Sequence, residues 1–203
     1  MTLPLSPPSD ASLIAAVLAG ERERFALLVE RYQGPLLRLA RNRLGRHDWA
    51  EDVVQETFLW AFKSLASYDS RYSFRTWLWT ILLNQCNRHY QRRARQAALE
   101  QARQPQGDVG FEGERLATDE ASPSERLLAK ERAQQLADVL AELPDVQADA
   151  LRLRFFGELK FQEIADVQGC SLTSAKNRVR WGLLKMAERL GAGALALAPR
   201  CED

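Results

Sequence analysis

Histidine and cysteine are scarce in this 203-residue chain, with two and three of them respectively. Cys86, Cys170 and Cys201 are widely spaced and form no Cys-x-x-Cys pair, which excludes a disulfide framework or a structural zinc site as the organising device. His47 and His89 sit near basic residues without a paired nucleophile, and no glycine-rich phosphate loop occurs. Cys86-x-x-His89 supplies two metal ligands at best. Long apolar runs are missing as well. The longest, Thr76 to Leu83, is too short to span a bilayer, and the N-terminus lacks the basic-then-apolar profile of a signal peptide. These absences predict a cytoplasmic protein that is not an enzyme, with no cofactor, no metal, no small-molecule substrate and no membrane insertion. Period-two alternation is absent too, so the fold class is all-α.

What is present is ordinary in bulk and uneven in detail. Apolar residues at 46% and charged residues at 27% are near globular averages, which excludes wholesale disorder. The net charge of +1 hides a segregation. From Arg71 to Arg103 seven arginines face one acid, from Gln104 to Arg126 six acids face two arginines, and from Ser171 to Arg189 five bases face one acid. Taken singly, each block reads as a solvated helix face. Two basic blocks, each attached to an apolar helical pattern, point to a polyanion partner.

Apolar spacings of three and four predict a short helix after Ser9-Asp10, stopped by Gly20. A second is expected from about Glu21 to Leu44, kinked or divided at Pro35, a third capped by Asp48, and a fourth from Phe74 to about Ala98. Gln101 to Pro123 has linker composition, and the second half carries further helices, ending in Asp145 to Phe156, Phe161 to Val167 and Leu172 to about Leu190. The expected organisation is two small helical domains, 9–100 and 124–190, joined by a flexible acidic linker, 101–123, and followed by a tail, 191–203.

The last two helices, joined by Gln168-Gly169-Cys170, have the form of a helix-turn-helix. Leu172, Ala175, Val179, Leu183, Met186 and Leu190 form the stripe expected to pack inward. The opposite side presents Thr173, Ser174, Asn177 and Trp181, flanked by Lys176, Arg178 and Arg180, which suits a helix entering a major groove. In the first half, Tyr68, Tyr72, Phe74, Trp77 and Trp79 precede Asn84, Arg88, Arg92, Arg93 and Arg95. Aromatic platforms beside arginine suit single-stranded nucleic acid, and the same residues equally describe a core with a solvated basic end. Asp52, Gln55 and Glu56 share one helix face, which suits a basic protein partner or plain solvent.

Ala50-Glu-Asp-Val-Val-Gln-Glu-Thr-Phe58, Ser73-Phe-Arg-Thr-Trp-Leu78, Leu143-Pro144 and Phe161-Gln-Glu-Ile-Ala165 closely resemble the extracytoplasmic-function group of bacterial sigma factors over almost the whole chain. The resemblance implies two blocks. Region two binds the clamp helices of core RNA polymerase and melts the minus-ten element, and region four reads the minus-thirty-five element. It assigns Asp52, Gln55 and Glu56 to polymerase binding. Residues from Ser67 to Arg75, with Tyr72, Phe74 and Arg75, and then Asn84, Arg88 and Arg92, go to minus-ten DNA. Thr173, Ser174, Lys176, Asn177, Arg178 and Arg180 go to minus-thirty-five DNA. The implied partners are core RNA polymerase, promoter DNA and an anti-sigma factor. A stand-alone helix-turn-helix regulator would explain the second block and leave the faces of the first unused.

Overall fold

A computed structural model of the protein describes residues 8–101, 131–132 and 135–190, all of whose elements are helical. Of the expected linker only Gln101 is described, as the last residue of a helix, and the tail lies outside the described residues. Helix α1, Asp10–Leu18, is capped by Ser9, whose Oγ accepts from the Ser12 amide at 3.2 Å, and it buries Leu13, Ile14 and Val17. Arg31 and Tyr32 both donate to the Asp10 carboxylate, tying α1 to the long helix that follows.

Helix α2, Phe25–Leu44, follows a short 3-10 turn and runs through Pro35 undivided, where the sequence predicted a kink or a break. The proline removes one amide donor, but Tyr32, Leu36, Leu39 and Ala40 are buried on either side of it and hold the helix against its neighbours. Gly45, at φ 73°, ends α2 in the left-handed conformation that glycine alone adopts freely, and its amide reaches the Arg41 carbonyl at 2.9 Å. Helix α3 is His47–Ser64. Asp48, expected as its cap, lies inside the first turn instead, where its carboxylate complements the positive end of the helix dipole and accepts from Arg46 Nη2 at 2.9 Å.

Helix α4, Phe74–Gln101, crosses α3 and buries Leu78, Trp79, Leu82 and Cys86. Ser73 caps it, accepting from the Thr76 amide at 3.0 Å. The second half consists of helical residues 135–141 (α5), Asp145–Phe155 (α6), Phe161–Gln168 (α7) and Leu172–Leu190 (α8). Gly169, at φ 58°, makes the tight turn between α7 and α8. Gly182 lets α8 press on α6, since a Cβ there would lie 2.7 Å from Leu151 Cδ1. That contact sets the inward stripe of α8 as Ala175, Val179, Gly182, Leu183 and Met186; Leu172, expected to point inward, is 40% exposed.

The two halves pack on each other, α4 against α7 and α2 against α6. Trp79 is fully buried beside Gly157, where an added Cβ would lie 3.3 Å from the indole. Next to this apolar centre runs a buried polar seam. Asp149 of α6 accepts from Arg43 of α2 at 2.6 Å and from Arg152 at 3.1 Å. Arg152 Nε donates to Asn42 at 2.8 Å, and Arg43 Nη2 to Asn87 of α4 at 2.7 Å.

Candidate nucleic-acid interface

Three surfaces emerge. On α3, Asp52 and Gln55 are exposed, while Glu56 turns toward α4 and accepts from Arg92 at 3.0 Å. The structure therefore brings Arg92 to the α3 acidic face rather than to the aromatic loop. Arg88, one turn earlier, lies over the Trp60 ring at 5.2 Å, and Trp60 is half exposed. Glu56, Leu59, Trp60, Arg88, Arg92 and Arg95 line one groove between α3 and α4. Sequence reasoning missed Trp60, whose signal was its position four residues after Glu56, on the same helix face.

The second surface is the turn before α4. Tyr72 is 49% exposed, and its backbone is fixed from both sides. Its amide donates to the Asp69 carbonyl at 3.1 Å, and its carbonyl accepts the Tyr68 hydroxyl at 2.6 Å. Arg71 Nε donates to Asp69 at 2.8 Å, and this contact holds the Asp69 carboxyl below its ordinary range. Phe74 corrects the sequence reading. Only 2% exposed, it packs edge-on to Tyr32 at 5.7 Å and Tyr68 at 5.9 Å, so it belongs to the core and offers no face to a base. Trp79 is core as well, and Trp77 is partly buried against Tyr68 and Phe74. Arg75 is half-buried, and Asn84 is exposed three turns along α4.

The third surface is α8. Its cap, Ser171, accepts from the Ser174 amide at 3.1 Å. Thr173, Lys176, Asn177, Arg180 and Trp181 are exposed, and Ser174 is half-buried. Arg178, expected on the phosphate shoulder, is half-buried and donates to Gln168 Oε1 at 3.0 Å, while Gln168 Nε2 donates to the Val146 carbonyl at 2.9 Å. That chain of bonds ties α8 to α7 and α6. Lys176 lies 5.7 Å over the Phe161 ring.

The remaining candidate groups are structural in their surroundings. Burial pushes the Cys86 thiol up to about 12, far from thiolate reactivity at neutral pH. The His89 ring lies 5.0 Å from the Trp49 ring, tilted by 47°, and its burial together with Arg92 and Arg93 lowers its pKa. Among the described residues no group of three or more His, Cys, Asp or Glu is placed to hold a metal, and no helix is long and apolar enough to cross a membrane.

Sigma-70 region 2 matches residues 28–96, which run from α2 into α4, and sigma-70 region 4 matches residues 133–186, from α5 into α8. The RNA polymerase sigma-H factor of Pseudomonas aeruginosa is 30% identical, with 86% of this chain and 90% of that protein covered. The chain belongs to the extracytoplasmic-function sigma factors. The sigma-E factor of Haemophilus influenzae is 28% identical over 84% of this chain and 89% of its own. Two solved structures share the fold. CnrH, in complex with the cytosolic domain of CnrY, superposes with a TM-score of 0.66 at 23% identity, covering 90% of this chain and 97% of that one. RpoE of Bartonella quintana, in complex with the anti-sigma factor NepR, gives 0.62 at 20% identity, covering 86% and 98%. As an alternative sigma factor, the protein directs RNA polymerase to promoters; such proteins are initiation factors rather than catalysts themselves. The stand-alone regulator falls away, because region two is present in full sequence order before region four.

Proposed function

We propose that the three surfaces divide the work of initiation, in the cytoplasm and without catalysis by the sigma factor. Asp52 and Gln55, with Glu56 behind them, meet the basic clamp helices of the largest polymerase subunit. The turn from Ser67 to Arg75 presents Tyr72 to an unpaired minus-ten base, while Asn84 and Arg88 follow the promoter strand. Thr173, Ser174, Lys176, Asn177 and Arg180 read the minus-thirty-five element, and Arg178 holds the reading helix in place. An anti-sigma factor is the expected regulator, as in the Bartonella complex.

The observation that carries this reading is the contrast on α3. Val53, Val54, Thr57 and Phe58 are buried, whereas Asp52 and Gln55, on the outward face, neither fill the core nor bond across the fold. Replacing Asp52 and Gln55 together by Lys should abolish co-purification with core polymerase and leave the helical circular dichroism unchanged, because like charges across an interface cost several kcal/mol. Undiminished co-purification of that variant refutes the assignment.

A further inference from the structure

One turn beyond Glu56, Leu59 and Trp60 stand half exposed, while Val53, Val54, Thr57, Phe58 and Ala61 fill the core from the other side of α3. Trp60 therefore brings to the surface an indole that the packing of the fold does not use. Its backbone is held near the end of α3, where its carbonyl accepts the Ser64 hydroxyl at 2.6 Å.

Across the groove, α4 sets Asn84, Arg88 and Arg95 along one face. At about 1.5 Å per residue this row extends about 16 Å from Asn84 to Arg95, the length of about five stacked nucleotides at about 3.4 Å each. Three guanidiniums, those of Arg88, Arg92 and Arg95, line the groove against the single carboxylate of Glu56. Arg92 Nη2 donates to both Glu56 oxygens, at 3.0 and 3.2 Å, and neutralises that acid. Among the described residues Arg88 and Arg95 meet no carboxylate, so the groove keeps a positive balance.

Arg88 lies 5.2 Å over the Trp60 ring. A cation on an exposed indole is held weakly, and a nucleobase offers the same ring a π-face of its own. A row of cations beside a flat, exposed ring is the pattern that binds an unpaired strand, with phosphates on the guanidiniums and a base on the indole. Carboxylates of a peptide would satisfy the cations and leave the indole uncovered.

Resting on the promoter assignment above, we infer that Trp60 is a second stacking platform, which takes an unpaired base of the promoter strand after the strand has passed Asn84. The base occupies the ring face that Arg88 covers in the free chain. Arg88 moves to the adjoining phosphate, and Arg95 meets the phosphates beyond. Glu56 and Arg92, bonded to each other, hold the wall of the groove.

The test uses the full-length chain and two fluorescein-labelled probes, single-stranded (dT)20 and a strand of the same length whose residues are abasic. Stacking acts on the first probe alone, and phosphate contacts act on both. Trp60→Ala should weaken (dT)20 binding by about five- to 150-fold, the loss of one stacked base, and leave the abasic probe unchanged. Trp60→Phe should recover most of that loss, because it keeps a π-face. Arg95→Ala should weaken both probes alike and reduce the salt slope by about 0.7, for one phosphate released. Trp60 is turned about 140° from Gln55 around α3, so helical circular dichroism and co-purification with core polymerase should stay at wild-type values. Unchanged (dT)20 affinity in folded Trp60→Ala, equal losses on the two probes, or no binding of (dT)20 by the wild-type chain overturns the inference. Lost co-purification of Trp60→Ala with (dT)20 affinity kept overturns it in favour of a protein partner. Permanganate reactivity of promoter thymines in a Tyr72→Ala holoenzyme reads the turn separately. If that reactivity is suppressed while Trp60→Ala binds (dT)20 normally, the inference falls and the promoter assignment stands.

Discussion

Tyr72 and Phe74 are two residues apart, and truncating each to alanine should give opposite results. Phe74 is 2% exposed, at the junction of Tyr32, Tyr68 and Trp77. Removing it deletes buried ring surface and leaves a cavity, so Phe74→Ala should cost about 3–5 kcal/mol of stability. Tyr72 is 49% exposed, and the turn uses only its backbone, since the Tyr68 hydroxyl bonds to its carbonyl and its amide to Asp69. Tyr72→Ala keeps both bonds and should change stability by less than about 0.5 kcal/mol. If the ring stacks on one base, its loss costs about 1–3 kcal/mol in the open complex, a drop of about five- to 150-fold. Urea unfolding measures the first effect, and permanganate reactivity of promoter thymines in the holoenzyme measures the second. Tyr72→Trp should restore melting, because it restores a π-face. Normal thymine reactivity in a stably folded Tyr72→Ala holoenzyme refutes the stacking role, and wild-type stability of Phe74→Ala refutes its place in the core.

On α8, Asn177→Ala should relax preference at one or two upstream base pairs by roughly 1–3 kcal/mol each, whereas Arg180→Ala should weaken all promoters alike and reduce the salt slope by about one; transcription from single-base promoter variants at two salt concentrations distinguishes them. Arg178→Ala removes the bond to Gln168 and should lower stability by about 0.5–1.5 kcal/mol with base preference intact, read by thermal unfolding and the same promoter panel. His89 is lowered by burial first and then by Arg92 and Arg93, with Glu56 and Asp52 opposing. The unfolded chain therefore binds the proton more tightly, and the stability His89 confers is complete above its ordinary value of 6.5 and declines as pH falls through that value toward the lower folded one. Melting temperatures at pH 7.5, 6.0 and 5.0 should show a steeper decline for wild type than for His89→Gln, and parallel curves would contradict it.

Helix periodicity, caps and the glycine turns were legible in the sequence because each is a local rule. Ser9 caps the helix it was expected to precede, and Ser73 and Ser171 cap α4 and α8 by the same rule. Asp48, inside α3 rather than at its cap, and Pro35, inside an undivided α2, are local misses; those at the candidate sites depend on partners distant in sequence. Phe74 looked like a platform because it neighbours Arg75, and only the packing of α2 beneath it makes it core. Arg178 lies one residue from Asn177 on the same polar arc, yet Gln168 across the turn claims it. Arg92 continues the Asn84 and Arg88 stripe by spacing, while Glu56, 36 residues earlier, draws it to α3. Acidic and basic blocks were visible as composition, but which acid would meet which base was not. Neither ion pairs nor hydrogen bonds across the fold have a period, so neither Asp149 with Arg43 nor Glu163 with Ser73 leaves a pattern to read.

That same lack of local signal explains why the seam is polar. On the proposed reading the two surfaces work at separate promoter elements on one polymerase, so the contact between the halves should release at modest cost. A large apolar seam would resist release, at roughly 25 cal/mol for each Å² returned to water. An ion cluster does not, because the hydration regained by Arg43, Asp149 and Arg152 offsets the attraction that is lost. The halves also share apolar contact, since Trp79 lies against Gly157 and the buried apolar residues of both halves form one cluster; among the described residues the Trp79 indole N–H has no hydrogen-bond partner. The directed bonds of Arg43, Asp149, Arg152 and Asn42 make the packing of the two halves specific.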